Sequence, residues 1–233
     1  MHRLYLLCLF LVACGIPGFA QTNRPLLFKA VPLPEPRSPL IYRLNRAVDY
    51  SVRNRAGKLV TGLGHETHTT ELTTPEGTFR GIDHGEFGGT LLFQDPDKQA
   101  QPIEIKQGNV RLIFQLQGHV YFIEGLAHMG LNSGALYELT GQAPNFGHTK
   151  LVDFDDAPEA FAIVGDNIYV AQAHGFLVLR HLHPDIIVKN SFWGGLYPNS
   201  VAMFGDTAYV GMRGGYARVI VPSKSVTFFK HIP

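Results

Sequence analysis

The sequence has little cysteine, little net charge and no long apolar run beyond its N-terminus. Its two cysteines, Cys8 and Cys14, lie near the start of the chain, so disulfides cannot hold the remainder together. The remaining residues are numerous enough to fold around a hydrophobic core. Because 20 basic residues face 19 acidic ones, composition gives no electrostatic case for nucleic acid or an anionic membrane surface. No later stretch approaches the roughly 18 apolar residues of a transmembrane helix.

The chain begins with an export pattern, MHRLYLLCLFLVACGIPGFAQ. A basic start precedes an apolar run over residues 4–13, and Gly18 and Ala20 place small residues before a cut after Ala20. This predicts a signal peptide over residues 1–20, one domain over residues 21–233, and a periplasmic or extracellular location. The stretch LVAC, ending at Cys14, also resembles a bacterial lipobox, so a membrane-anchored lipoprotein lipidated at Cys14 is the alternative.

Two sets of markers show an internal repeat. Tyrosines in the stretches GHVYF, DNIYV and DTAYV, at Tyr121, Tyr169 and Tyr209, are 48 and 40 residues apart. Glycines that precede the next apolar stretch are 45, 41 and 40 residues apart: Gly89, Gly134, Gly175 and Gly215. Two independent markers with the same period indicate repeated structural units.

Each unit is predicted to contain four short β-strands. In the clearest unit the strands are residues 160–164, 167–171, 176–180 and 186–189, with turns at 165–166, 174–175 and 183–185. Repeated four-stranded units of this length are typical of a β-propeller, here of about five blades, four readable and the first irregular. The stretches PLLFKAV, PLIYRL and KLVTG could supply the fifth. A β-sandwich with a coincidental repeat is the structural alternative.

Polar residues recur at equivalent points of the units. In a propeller, the loop before the first strand and the loop between the second and third strands open on the same face. We therefore predict that these side chains ring one mouth of the channel and bind a ligand. They are His84, Glu86, His128, Glu159, His174, Asn199 and Arg213. Each also has a structural interpretation, as a turn residue, a packed histidine or an ion-pair partner.

Two further features have open interpretations. HETHTTE contains His65, Glu66, His68 and Glu71, but its histidines are three residues apart in a Thr-rich β context, unlike the helical HExxH motif. His65 and His68 could still contribute to a site with His84. The single tryptophan, Trp193, is either a stacking platform at the mouth or a packing residue between blades.

The stretches YPNSVAMFGDTAYV and APEAFAIVGDNIYV resemble inner-strand segments of the regucalcin/gluconolactonase and NHL-repeat propellers. In the lactonase family a Glu and the Asn of a Pro-Asn-Gly motif bind calcium at the axis. The resemblance implies that Glu86 or Glu159, with Asn199, would bind a divalent cation such as calcium. Asn199 is followed by Ser200 where the family has Gly.

Three functions are compatible with these patterns. The first is an exported, monomeric β-propeller that binds a small molecule, carbohydrate or protein at its mouth without chemistry. The second is a lactonase-like or esterase-like hydrolase that depends on a divalent cation, with Glu86, Glu159 and Asn199 as ligands and His128 or His84 as general base. The third is a structural or assembly lipoprotein of the cell envelope.

Mass spectrometry of the exported protein distinguishes the two N-terminal alternatives. We expect a mature chain that begins at Gln21, because small residues precede the cut. A chain that begins at Cys14 and carries lipid would contradict this prediction.

Overall fold

A computed structural model describes residues 26–64, 70–97 and 100–232, and β-strands make up most of them. The predicted all-β class is therefore confirmed. The segment 1–20, with Cys14, and His65, Glu66 and His68 lie outside the described residues. The described residues contain no helix with the length and hydrophobicity needed to cross a bilayer.

Two antiparallel sheets come from the first half of the repeat region, and their strands follow chain order. The first sheet contains β4 (Glu71–Thr74), β5 (Gly77–Asp83), β6 (Gly89–Gln94) and β7 (Ile103–Gln107). The second contains β8 (Val110–Leu116), β9 (His119–His128), β10 (Leu131–Gln142) and β11 (Asn145–Phe154).

The second half of the chain forms two more antiparallel sheets. The third sheet contains β12 (Pro158–Val164), β13 (Asn167–Gln172), β14 (Phe176–Arg180) and β15 (His183–Val188). The fourth contains β16 (Ser200–Phe204), β17 (Thr207–Met212), β18 (Gly215–Ile220) and β19 (Ser225–Ile232), and β1 (Leu27–Val31) pairs with β19 at its edge. A separate two-stranded ribbon is made of β2 (Tyr50–Arg55) and β3 (Lys58–Leu63).

Neighbouring sheets share hydrophobic clusters, because side chains along a strand alternate between its two faces. In β9, Phe122 packs in a cluster with the first sheet, whereas Tyr121 and Ile123 pack in a cluster with the third. In β14, Leu177 packs toward the second sheet and Val178 toward the fourth. The sheets therefore stack face to face in chain order, an arrangement that a two-sheet sandwich does not have.

The stretch PLIYRL, one of the three that could supply the fifth blade, forms the helix α1 (Pro39–Asn45) and not a blade strand. The Ser38 side chain caps the helix by accepting a hydrogen bond from the Ile41 amide at 3.4 Å, and Pro39 suits the first helical turn. Ile41 and Leu44, three residues apart, are the buried residues of the helix. This spacing is too short to show helical periodicity in the sequence alone.

The last strand of the third sheet begins earlier than predicted. The expected turn at residues 183–185 belongs to β15, and the chain instead reverses at His181 and Leu182, with φ of 47° and 66°. Two successive left-handed residues form a tight hairpin turn. This turn could not be predicted, because neither residue is the Gly, Asn or Asp that usually occupies such a turn.

The repeat glycines are required by close contacts. A methyl group at Gly89 would stand 2.2 Å from the Ile82 carbonyl oxygen, and one at Gly215 would stand 2.0 Å from that of Phe229. Contacts under 3 Å would occur at all four repeat glycines: Gly89, Gly134, Gly175 and Gly215. The repeat spacing therefore marks the points at which the third strand of each sheet meets its neighbours most closely.

Alanine at Gly89 should lower the free energy of unfolding by about 1–3 kcal/mol, because the methyl group would press on the Ile82 carbonyl. Gly165 provides the control: its φ is 56° with open space around it, and Asn tolerates that backbone conformation. We expect Gly165→Asn to cost less than Gly89→Ala in urea denaturation. Equal losses would contradict the close-contact explanation.

Candidate functional site

Three of the predicted site residues line one cavity of ≈ 350 Å³: His128, Glu159 and His174. His128 ends β9, Glu159 lies at the start of β12, and His174 follows β13. Starts of first strands and ends of second strands lie at the same end of antiparallel sheets, which is why these residues meet. We call this space the His128–His174 cavity. Met129 and Tyr197 also contribute to its walls.

Asp156 fixes the orientation of His174. Its Oδ1 lies 3.1 Å from His174 Nδ1, and its Oδ2 accepts the His174 backbone N–H at 2.7 Å. The Asn132 side-chain amide also donates to Asp156, while its carbonyl accepts the Ala157 N–H at 2.7 Å. Nδ1 of His174 also lies 3.1 Å from the Asn132 side-chain nitrogen, so Nδ1 is engaged within the protein and Nε2 is the ring nitrogen left for a ligand.

Glu86 holds the other histidine of the cavity. Its Oε2 lies 2.5 Å from Nε2 of His128. Glu86 belongs to a short 3-10 turn, Gly85–Phe87, between β5 and β6. The structure therefore joins two predicted site residues from different sheets in one contact.

Arg111 joins three sheets at this end of the protein. Its guanidinium donates to Asp83, at the end of β5, and to Oε2 of Glu159 at 2.5 Å. Arg111 and Glu159 both lie at β-bulges, where the pairing of β8 with β9 and of β12 with β13 skips one residue. A bulge re-aims the extra side chain out of the strand alternation. The two equivalent bulges thus present opposite charges that bond each other.

Burial raises the pKa of Glu159, and the nearby carboxylates of Asp83 and Asp156 raise it further, whereas the Arg111 guanidinium lowers it. The net direction is upward, so the cost of desolvation and like charge exceeds the benefit of the ion pair. A perturbed carboxyl group in a cavity is a frequent mark of a functional site.

Arg213 acts on the cavity through Tyr197. Its guanidinium lies 4.1 Å from the centre of the Tyr197 ring, donates to the Asn45 carbonyl at 2.9 Å and faces Asp49 at 3.5 Å. Tyr197 is 51% exposed and has a φ of 55°, which is uncommon for a residue other than Gly. The ring is therefore held at the cavity wall by a fixed cation on one face.

Asn199 and His84 lie in different environments. Asn199 is 6% exposed, and its Oδ1 accepts the Ser200 hydroxyl at 2.9 Å. The Ser200 oxygen in turn accepts the Val52 N–H at 2.9 Å, so this pair joins β16 to β2. His84 is exposed in the loop that contains Glu86, and its backbone N–H donates to Gly88 at 2.8 Å.

The predicted metal ligands all have protein partners, namely His128 for Glu86, Arg111 for Glu159 and Ser200 for Asn199. Across residues 26–64, 70–97 and 100–232, no group of three or more His, Cys, Asp or Glu is placed to hold a metal ion. The divalent-cation site stays a prediction from the sequence resemblance.

Trp193 is a packing residue: it is fully buried, and its Nε1 donates to the Gln172 carbonyl at 3.1 Å. The exposed aromatic ring at the cavity is that of Tyr197. Sequence reasoning missed Tyr197, Asp156 and Arg111 as site residues. One signal was available, because Arg111 is a charged residue inside the apolar strand VRLIF.

Comparisons with known proteins leave the family open. No family model matches the chain, and no curated protein matches it. Among solved structures it is similar to the computationally designed Ika8 protein, with 10% identity over 77% of this chain and 73% of that chain and a TM-score of 0.34. A likeness at this level carries no functional information.

The raised pKa of Glu159 predicts a pH dependence of stability. The folded protein holds this proton to higher pH than the unfolded chain, so the free energy of unfolding falls as pH rises through the folded-state pKa. Glu159→Gln lacks this titration. We therefore expect the melting temperature of the wild type, relative to Glu159→Gln, to decline from acid to neutral pH. A relative increase over that range would mean that Arg111 dominates and the pKa is lowered.

Proposed function

We propose that this chain is an exported β-propeller binding protein whose ligand occupies the His128–His174 cavity. The observation that carries the proposal is that His128, Glu159 and His174 come from the ends of separate strands and line one cavity. Its volume of ≈ 350 Å³ falls in the range of about 300–1,000 Å³ found for small-molecule sites.

The order of the sheets supports a propeller. The first strands of successive sheets contact one another, β4 with β8, β8 with β12, and β12 with β16. The ribbon continues the series, because β2 contacts β16. Four sheets with the same strand order, followed by a shortened fifth unit, agree with about five blades around an axis.

Binding, rather than chemistry, suits the way the polar groups are held. Asp156 fixes His174, Glu86 holds His128 and Arg111 holds Glu159, so each group is preorganised by a protein partner. Export is proposed from the N-terminal pattern alone.

The test is a fragment screen by NMR on the ¹⁵N-labelled mature chain. The fragments should include neutral, anionic and cationic compounds. We expect bound fragments to shift the amide signals of His128, His174 and Tyr197 together, because these residues share the cavity.

His174→Ala should weaken the binding of these fragments. His119→Ala is the matched control, because His119 is also paired with a carboxylate, Glu138 at 2.8 Å, but at the opposite end of β9. Shifts that cluster away from the cavity, or fragments unaffected by His174→Ala, would contradict the proposal.

A further inference from the structure

The His128–His174 cavity is short of positive charge. Among the described residues that line it, Glu159 is the one carboxylate, and there is no Lys or Arg. Glu86 and Asp156 stand behind the two histidines. Arg111 is the guanidinium in contact with Glu159, and it is shared with Asp83. An anionic ligand would therefore enter without a counter-charge in the wall.

Arg213 does not supply the positive charge that the cavity lacks. Its guanidinium faces the carboxylate of Asp49 at 3.5 Å and lies against one face of the Tyr197 ring. Its charge is thus offset by Asp49 and separated from the cavity by the ring. The carboxylates around the cavity remain in excess when the histidines are counted as neutral.

Three large apolar or aromatic side chains also line the cavity, and they are exposed. Met129 is 93% exposed, Leu131 66% and Tyr197 51%. Met129 and Tyr197 also have left-handed backbone conformations, with φ of 45° and 55°. Met129 and Gly130 form the two-residue turn between β9 and β10, so the φ of Met129 belongs to that hairpin, whereas Tyr197 lies outside the strands. Exposed apolar side chains at a cavity are available to contact a ligand.

A carboxylate beside aromatic and apolar walls suits a cation with apolar substituents. The Tyr197 ring, the imidazoles and the Met129 thioether can contact alkyl groups, while Glu159 offers the opposite charge. A bare divalent metal ion fits poorly, because these walls lack the oxygen ligands that hard cations require.

We propose that the His128–His174 cavity binds a small organic ammonium ion, with Glu159 as its counter-charge and Tyr197 and Met129 against its alkyl groups. The inference rests on the proposed binding function and names its ligand class. Arg111 has a positioning role, because it fixes Glu159 at the wall.

The titration of Glu159 predicts how the affinity for an organic ammonium ion changes with pH. Burial, Asp83 and Asp156 raise its pKa against the effect of Arg111, and a bound cation would favour the ionised form. Affinity should therefore decrease in acid as Glu159 is protonated.

Three isosteres that differ in charge provide the experiment: choline, the neutral 3,3-dimethyl-1-butanol and the anionic 3,3-dimethylbutanoate. We expect choline to bind at least about tenfold more tightly than the neutral compound in calorimetric or NMR titrations, with the anion weakest. Equal affinity for the neutral compound, or preference for the anion, would overturn the ammonium proposal.

Substitutions in the wall of the His128–His174 cavity test whether choline binds there. Tyr197→Ala should weaken choline binding by about tenfold, whereas Tyr197→Phe should retain it, since the ring supplies the contact. Glu159→Gln should also lose affinity. Glu71→Gln is the control, because Glu71 pairs with Arg80 in another sheet.

The outcomes separate this inference from the proposed function. If other fragments bind in the cavity but choline does not, or if Tyr197→Ala and Glu159→Gln both leave choline affinity unchanged, the ammonium inference fails and the binding function stands. If no fragment binds in the cavity, the binding function itself fails.

Discussion

The arrangement of the sheets at this end of the protein depends on the ion pairs of the Arg111 guanidinium. It joins Asp83 of the first sheet to Glu159 of the third while belonging to the second. Without it, the first and third sheets would place two carboxylates of like charge at a partly buried site with no compensation. The same contact decides where Glu159 stands, and so it couples the packing of the sheets to the character of the cavity.

The packing of the sheets explains why the groups that bond Arg111 keep fixed positions. Central strands such as β9 and β14 have residues packed on both faces, so a sheet cannot shift without disturbing the clusters on either side. The polar groups at the ends of these strands are held in place by the same packing. Groups held in this way need little reorganisation on binding, which favours recognition of a small ligand.

Part of the strand pattern could be predicted from sequence because its glycine markers have local physical causes. The glycines stand where a methyl group would strike a neighbouring backbone or ring, and strand β14 (Phe176–Arg180) has the predicted limits. The helix α1 could not be predicted from the sequence, because only two of its residues are buried. The left-handed turn at His181 and Leu182 contains no Gly, Asn or Asp at these two positions that would indicate a turn.

The site was harder to predict because its contacts are distant in sequence. Arg111 and Glu159 are 48 residues apart, and the Asn45 carbonyl that holds Arg213 is 168 residues from it. The loops that contain His128, Glu159 and His174 could be assigned to one face from strand order. The partners that hold them, and the exposure of Tyr197, depend on how neighbouring sheets are packed.

The pairing of β1 with β19 places the two ends of the described chain in one sheet. The ribbon strand β2 likewise packs on β16 and β17, which lie near the opposite end of the sequence. The fourth sheet therefore cannot gain its full set of neighbours until nearly the whole chain has been synthesised. Contacts of such long sequence separation slow folding, and they leave β1, which is synthesised first, without its partner strand until β19 has been made. In a nascent chain the fourth sheet would thus be completed last.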